Sequence, residues 1–216
     1  MKDTYQHKGM RRKLVAELRE SGITNSSVLV AIESLPRHFF MDNAFLEWAY
    51  ENKAFPIGND QTISQPYTVA YQTSLLEVQN RDKILEIGTG SGYQAAILAL
   101  LGARVYTVER QELLHQKAKA LLGKLGFGSI RCYYRDGTKG LPEFSPFDKI
   151  LVTAGAIDIP NALKEQLRIG GVLVIPVGEK VQKMMRITRL SKDEYREEIL
   201  GSFRFVPFLK GVNARN

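Results

Sequence analysis

The sequence predicts an α/β fold, a doubly wound parallel sheet with helices on both faces. Two observations carry this prediction. From Lys83 to Pro176, short apolar strands alternate with amphipathic helical stretches, the pattern of a parallel sheet with helical crossovers. A glycine-rich turn, Gly88-Thr89-Gly90-Ser91-Gly92, stands where the first of these strands gives way to a helix.

Taken in order, residues 8–50 read as helical. Leu14, Val15 and Leu18 share a face, with Ser21-Gly22 as the stop. Val28, Leu29, Ile32 and Leu35 repeat at helical spacing behind Asn25 or Ser26 as cap, and Pro36 ends that helix. Phe45, Trp48 and Ala49 suggest a further short helix. Residues 51–66 hold the breakers Pro56, Gly58-Asn59-Asp60 and Pro66 and read as a long functional loop. Thr68–Val78 reads as a helix. The strands expected next are Lys83–Ile87, Arg104–Val108, Ile130–Tyr134, Lys149–Val152 and Gly171–Pro176. The helices between them are Tyr93–Leu101, Gln111–Leu125 and Ile159–Leu167. Met184–Leu190 and Ile199–Val206 have no helix between them and should add an antiparallel pair at the sheet edge.

Composition narrows the function classes. With 216 residues, 44% hydrophobic and 25% charged, the chain suits one soluble domain. The division expected is a helical addition with an active-site loop over 1–80, a ligand-binding α/β core over 81–178 and a β extension over 179–216. The longest apolar run, Ala95–Leu101, is far short of the ~20 residues that cross a bilayer, so no membrane partner is expected. No apolar segment follows the basic start, so no secretory signal is expected. One cysteine, Cys132, suits a reducing cytoplasm. The net charge of +7, from 30 basic and 23 acidic residues, is scattered and not interleaved with aromatics, which argues against nucleic acid. A monomer is expected.

The glycine turn is not the dinucleotide fingerprint, because Tyr93 takes the place of its third glycine, and no phosphate-cradling G-x-x-x-x-G-K-[ST] exists. Acids stand instead at the ends of three successive strands: Glu86, Glu109 and Asp136. Glu86 would repel phosphate and suit an amino group. Glu109 ends the second strand, where an acid takes ribose hydroxyls, and Asp136 can accept from an exocyclic amine. Together they describe a pocket for an adenosine with a charged amino-acid tail and no phosphates, which is S-adenosylmethionine. Glu86, Gly88, Thr89, Gly90, Gly92, Glu109 and Asp136 are the residues expected to hold it.

Other chemistries fit less well. His7, His38 and His115 are dispersed in sequence and no Cys/His cluster exists, so no metal site is expected. Cys132 reads as a buried thiol, and Trp48 and Phe39-Phe40 as core. The place after the fourth strand reads Thr153-Ala154-Gly155-Ala156. It lacks the Asn/Asp-Pro-Pro-aromatic stretch of amino-methylating enzymes that act on nucleic acid. A basic binding module would need no aligned acids, and NAD-linked oxidoreduction fails on the glycine spacing.

Nearly end to end, the chain resembles the protein-L-isoaspartate (D-aspartate) O-methyltransferase family. The resemblance rests on Pro36-Arg37-His38-Phe39-Phe40, Pro56-Ile57-Gly58, Gln61-Thr62-Ile63-Ser64-Gln65-Pro66, Leu85–Tyr93, Val108-Glu109-Arg110, Asp136-Gly137 and Arg204-Phe205-Val206-Pro207. The Thr-Ile-Ser-Gln-Pro stretch is the most discriminating. The family implies a Rossmann-like methyltransferase fold. It implies methylation of the α-carboxyl of L-isoaspartyl residues in damaged proteins and peptides, with S-adenosyl-L-methionine as donor and S-adenosyl-L-homocysteine as product. The ester then closes to a succinimide, which hydrolyses partly to aspartate. The resemblance also makes Ser64 the active-site serine, sets Thr62 and Ile63 in the same pocket, adds Thr62, Ile63, Arg110 and Gly137 to the cofactor-binding residues, and brings the Val206 backbone near the substrate. A carboxylate has a pKa near ~4 and needs no general base, so Ser64 is expected to orient it rather than to act covalently. The Thr-Ile-Ser loop is expected to close over the cofactor.

Overall fold

The computed structural model describes residues 2–213. Helix α1 (Tyr5–Glu20) opens on a capping box. The Thr4 hydroxyl accepts from the His7 N–H at 3.3 Å, and His7 Nδ1 accepts from the Thr4 N–H at 3.2 Å. Helix α2 (Ser26–Ser34) is capped by Asn25, whose side chain accepts from the Val28 N–H at 3.2 Å. Leu14, Val15 and Leu18 of α1 and Val28, Leu29 and Ile32 of α2 are all buried, as their spacing requires. Two 3₁₀ turns follow, Arg37–Phe40 and Asn43–Trp48. Trp48, expected in the core, is 44% exposed, because the second turn buries none of its residues.

The stretch expected to be an irregular loop holds an antiparallel hairpin, β1 (Phe55–Gly58) and β2 (Gln61–Ile63). Of its breakers, Gly58, Asn59 and Asp60 form the turn, with φ of 94°, 53° and 55°, while Pro56 lies within β1 and Pro66 opens the next helix. Four- and three-residue strands are too short to show alternation in sequence. Helix α3 (Pro66–Leu76) begins two residues earlier than expected, since Pro66 fits the first helical position.

The core then runs β3 (Lys83–Ile87), α4 (Tyr93–Leu100), β4 (Arg104–Glu109), α5 (Glu112–Lys124), β5 (Arg131–Tyr134), β6 (Phe147–Val152), α6 (Asn161–Glu165) and β7 (Leu167–Val177). The edge pair is β8 (Gln182–Arg189) and β9 (Tyr195–Phe203). The expected Ile159–Leu167 helix shrinks to α6 because Leu167 already pairs with Phe147 in the sheet. The expected last strand, Ile199–Val206, lies further N-terminal as β9. Residues 204–206 leave the ladder: Phe205 N–H donates to Gln182 Oε1 at 2.9 Å, and Val206 O accepts from Gly155 N–H at 2.8 Å.

The sheet order is β5-β4-β3-β6-β7-β8-β9, with the first five strands parallel and the last two antiparallel. The chain winds outward from β3 to β5, then crosses to β6 on the other side of β3. That reversal opens a crevice above the carboxyl ends of β3 and β6, where doubly wound folds bind ligands. Two apolar cores fill the faces. One joins α1–α5 to Ile84, Val105 and Val174, and the other packs Leu163 of α6 against Leu85, Ile150 and Leu173.

Candidate active site

The crevice is built around the glycine turn. Gly88 has φ +98°, and a Cβ there would sit 2.4 Å from Thr153 Oγ1, so only glycine fits. Thr153 Oγ1 donates to the carbonyls of Ile87 at 3.0 Å and Gly88 at 2.8 Å, fixing the end of β3 to the end of β6. Gly92 was expected among the ligand-holding glycines. Packing also requires a glycine there, since a Cβ would meet the Leu122 side chain at 3.1 Å.

The three acids take different places. Glu109 reaches back over the turn: Oε2 accepts from Gly90 N–H and Oε1 from Gln111 N–H, both at 2.9 Å. It lines the crevice with Arg110, whose Nε donates to Gly211 O at 3.1 Å. Asp136 Oδ1 accepts from the Thr138 N–H and hydroxyl at 2.9 and 2.8 Å, and Oδ2 from Gly211 N–H at 2.9 Å. Burial pushes this carboxyl up, but the bonds from Gly211 and Thr138 outweigh it and hold the pKa below the usual range. Gly137 lines the crevice, and a Cβ there would meet Ile87 Cγ2 at 2.4 Å.

Glu86 is shut off from the open crevice. It is fully buried beneath the turn, where its Oε2 accepts from the Thr107 hydroxyl and its Oε1 has no partner among the described residues. Burial raises its pKa to about 8, so it is largely a neutral acid at neutral pH. Thr107 Oγ1 in turn lies 2.7 Å from Thr89 Oγ1, so this buried chain supports the turn from below. A strand residue one step from the turn points into the layer under it, which spacing alone does not disclose.

The hairpin covers the turn from the other side, with Ile57 Cδ1 3.4 Å from where a Gly90 Cβ would lie. Its end brings Thr62, Ile63 and Ser64 to the crevice. Three clefts meet there. A narrow one of about 60 Å³ runs between Gly88, Glu109, Gly137 and Phe208. A second, of about 40 Å³, lies between the hairpin and residues 88–94 and is lined by Ile63, Ser64 and Thr89. The third, about 580 Å³, opens between Ser64, α3 and residues 201–206. Thr62 and Thr153 border all three, and Ser64 borders the second and third. Val206 lies between the first and the third. Thr153 was not among the expected site residues. Its place after a strand flanking the switch point was the signal available.

The histidines are less dispersed than the sequence suggested. His7 and His38 stack with ring centroids 3.9 Å apart, and Asp3 brings a carboxylate within 4.8 Å of them. Each already has a structural task. Asp3 pairs with Arg11 through both oxygens, His7 caps α1, and His38 bridges Tyr50 Oη at 2.6 Å and Lys2 O at 3.2 Å. Cys132 is half-buried, and burial raises its thiol pKa to about 11, so it is no thiolate nucleophile. Among the described residues no helix is long and apolar enough to cross a membrane.

Known proteins resemble this chain in sequence and fold. The family model for protein-L-isoaspartate(D-aspartate) O-methyltransferase (PCMT) matches residues 9–213. A protein-L-isoaspartate O-methyltransferase of Christiangramia forsetii is 54% identical over 213 residues, covering 99% of this chain and 100% of that protein. One of Dictyoglomus thermophilum is 51% identical over 210 residues, covering 97% and 94%. A solved protein-L-isoaspartate O-methyltransferase superposes with a TM-score of 0.82 at 28% identity, covering 91% of this chain and 65% of that one. A Plasmodium falciparum structure described as a putative member in complex with S-adenosyl-L-homocysteine shares the fold, with a TM-score of 0.83 at 22% identity and coverage of 95% and 99%. A match of this length and identity, on a fold whose switch point carries the glycine turn and the Thr-Ile-Ser hairpin, places the chain in the protein-L-isoaspartate(D-aspartate) O-methyltransferase family.

Proposed function

We propose that this chain methylates the α-carboxyl of L-isoaspartyl residues in proteins and peptides, with S-adenosyl-L-methionine as donor. The observation that carries the site assignment is the position of Ser64. Its hydroxyl has no partner among the described residues, and it stands on the wall between the cleft of the glycine turn and the large open cleft. A group there reaches both a donor held by the turn and a peptide in the open cleft.

The residues fit the donor. The cradle of Gly88 and Gly137 admits close backbone approach where any Cβ would clash. Glu109, anchored by two backbone N–H groups, keeps lone pairs for ribose hydroxyls. Gly137 and Phe208 form the far wall for the base, with Asp136 holding Thr138 and Gly211 behind it, and Thr62 and Ile63 cover the amino-acid tail from the hairpin. The two clefts the donor would span, about 60 Å³ and about 40 Å³, are narrower than the ~300 Å³ of ordinary ligand sites, and in this reading the hairpin or residues 206–209 part to admit it.

When bound, S-adenosylmethionine supplies an electrophilic methyl group on sulfur. The protein's share is then positioning. The substrate carboxylate is already ionised at neutral pH, so no residue need remove a proton. The Ser64 hydroxyl donates to that carboxylate and fixes its direction. The Val206 backbone holds the peptide, and the hairpin excludes water.

Two peptides identical except for L-isoaspartate or L-aspartate at one position test this with radiolabelled donor. Base-labile label on the first alone is expected. Equal label on both, or on neither while S-adenosylhomocysteine still binds, overturns the substrate assignment. We further propose a cytoplasmic location, which the lone half-buried cysteine suits, and a monomer.

A further inference from the structure

The large cleft holds more than an isoaspartyl residue needs. Its volume of about 580 Å³ falls within the ~300–1,000 Å³ that encloses a drug-sized ligand, so several peptide residues enter it. The wall away from Ser64 is aromatic. Tyr67 and Tyr71 lie stacked with centroids 5.8 Å apart, Tyr71 and Phe203 are 5.2 Å apart, and Phe203 and Phe205 are 6.3 Å apart. All four rings are only partly buried, and Val181 beside them is 47% exposed. Neither tyrosine hydroxyl has a partner among the described residues. Among the described residues, Arg204 is the only charged one lining this cleft, and no acid lines it. The room between the rings depends on Gly201: a Cβ there would lie 3.2 Å from Phe203 Cε2 and 3.9 Å from Tyr71 Oη.

We propose that this aromatic wall is a specificity subsite for an aromatic or large aliphatic side chain adjacent to the isoaspartyl residue. The inference rests on the peptide-methylation reading above and adds to it which damaged segments are preferred. An apolar ring entering the cleft covers exposed aromatic faces and gains offset or edge-on ring contacts. A flanking lysine finds no carboxylate to pair with and faces Arg204. Damaged sites next to aromatic or large aliphatic residues are therefore methylated ahead of those beside lysine.

The test uses one isoaspartyl peptide scaffold with Phe, Leu, Ala, Glu or Lys placed at either flank in turn. At one flank the Phe peptide should show a KM about fivefold below that of the Ala peptide, with the Lys peptide above both. Tyr71→Ala should collapse the Phe-to-Ala ratio toward one. Gly201→Val is a second, independent probe. It sits on an exposed edge strand where a β-branched residue is tolerated, and its side chain fills the space between the rings, so it too should abolish the ratio. Retained affinity for S-adenosylhomocysteine shows that each variant is folded. A flat KM series at both flanks, a Lys peptide as good as the Phe peptide, or a ratio that survives both substitutions overturns the subsite. Failure to methylate any isoaspartyl peptide instead overturns the underlying function.

Discussion

Replacing Glu86 by Gln should change how stability depends on pH more than it changes the fold. Glu86 is fully buried, and burial raises its pKa from 4.5 to about 8, with the Thr107 hydrogen bond lowering it and the Glu109 charge raising it further. The unfolded carboxyl ionises first as pH rises. Between these two values the native state holds a proton that the unfolded state has released, so stability falls across that window. The gap corresponds to about 5 kcal/mol in full, at about 1.4 kcal/mol per pH unit, and an experiment run from about pH 5 to pH 8 samples roughly 3–4 kcal/mol of it. Gln has nearly the same shape, carries no ionisable proton, and its amide oxygen can accept from the Thr107 hydroxyl as Glu86 Oε2 does. Urea denaturation at several pH values, for both proteins in parallel, measures the difference. The stability of Glu86→Gln relative to the parent should rise by roughly 3 kcal/mol from about pH 5 to pH 8. Parallel curves would show that Glu86 is ionised in the native state and sink the argument.

Three further outcomes follow from the geometry. Ser64→Ala should lower kcat at least about tenfold, the loss of a hydrogen bond to a charged group, while calorimetric affinity for S-adenosylhomocysteine stays within about twofold. Gly88→Ala should abolish that affinity and cost about 1–3 kcal/mol of stability, since the new Cβ meets Thr153 Oγ1 at 2.4 Å and φ is +98°; unchanged binding contradicts the cradle. Asp136→Ala releases Gly211 N–H and the Thr138 hydroxyl and N–H together, and should weaken S-adenosylhomocysteine binding roughly tenfold or more by calorimetry; unaltered affinity argues that this wall does not touch the donor.

Much of the site was legible because local rules govern it. Glycines at a strand-to-helix turn, Glu109 at the end of β4 and Asp136-Gly137 after β5 are placed by chain order alone, since every parallel strand delivers its carboxyl end to one edge. The caps of α1 and α2 and the buried faces of those helices follow from spacing in the same way. Three-dimensional packing decided the rest. Which way Glu86 faces depends on the layers above and below β3, and only their closure turns an apparent ligand carboxylate into a neutral buried acid. Gly92 became a contact with Leu122, thirty residues on, and His7 met His38 across two helices. Thr153 gained its place at the meeting of three clefts because β6 lies beside β3, and the aromatic wall exists because β9 returns to α3. Periodicity reports which face of an element is apolar. It carries no information on which distant element covers that face, so pairings between remote segments emerge only when the sheet closes.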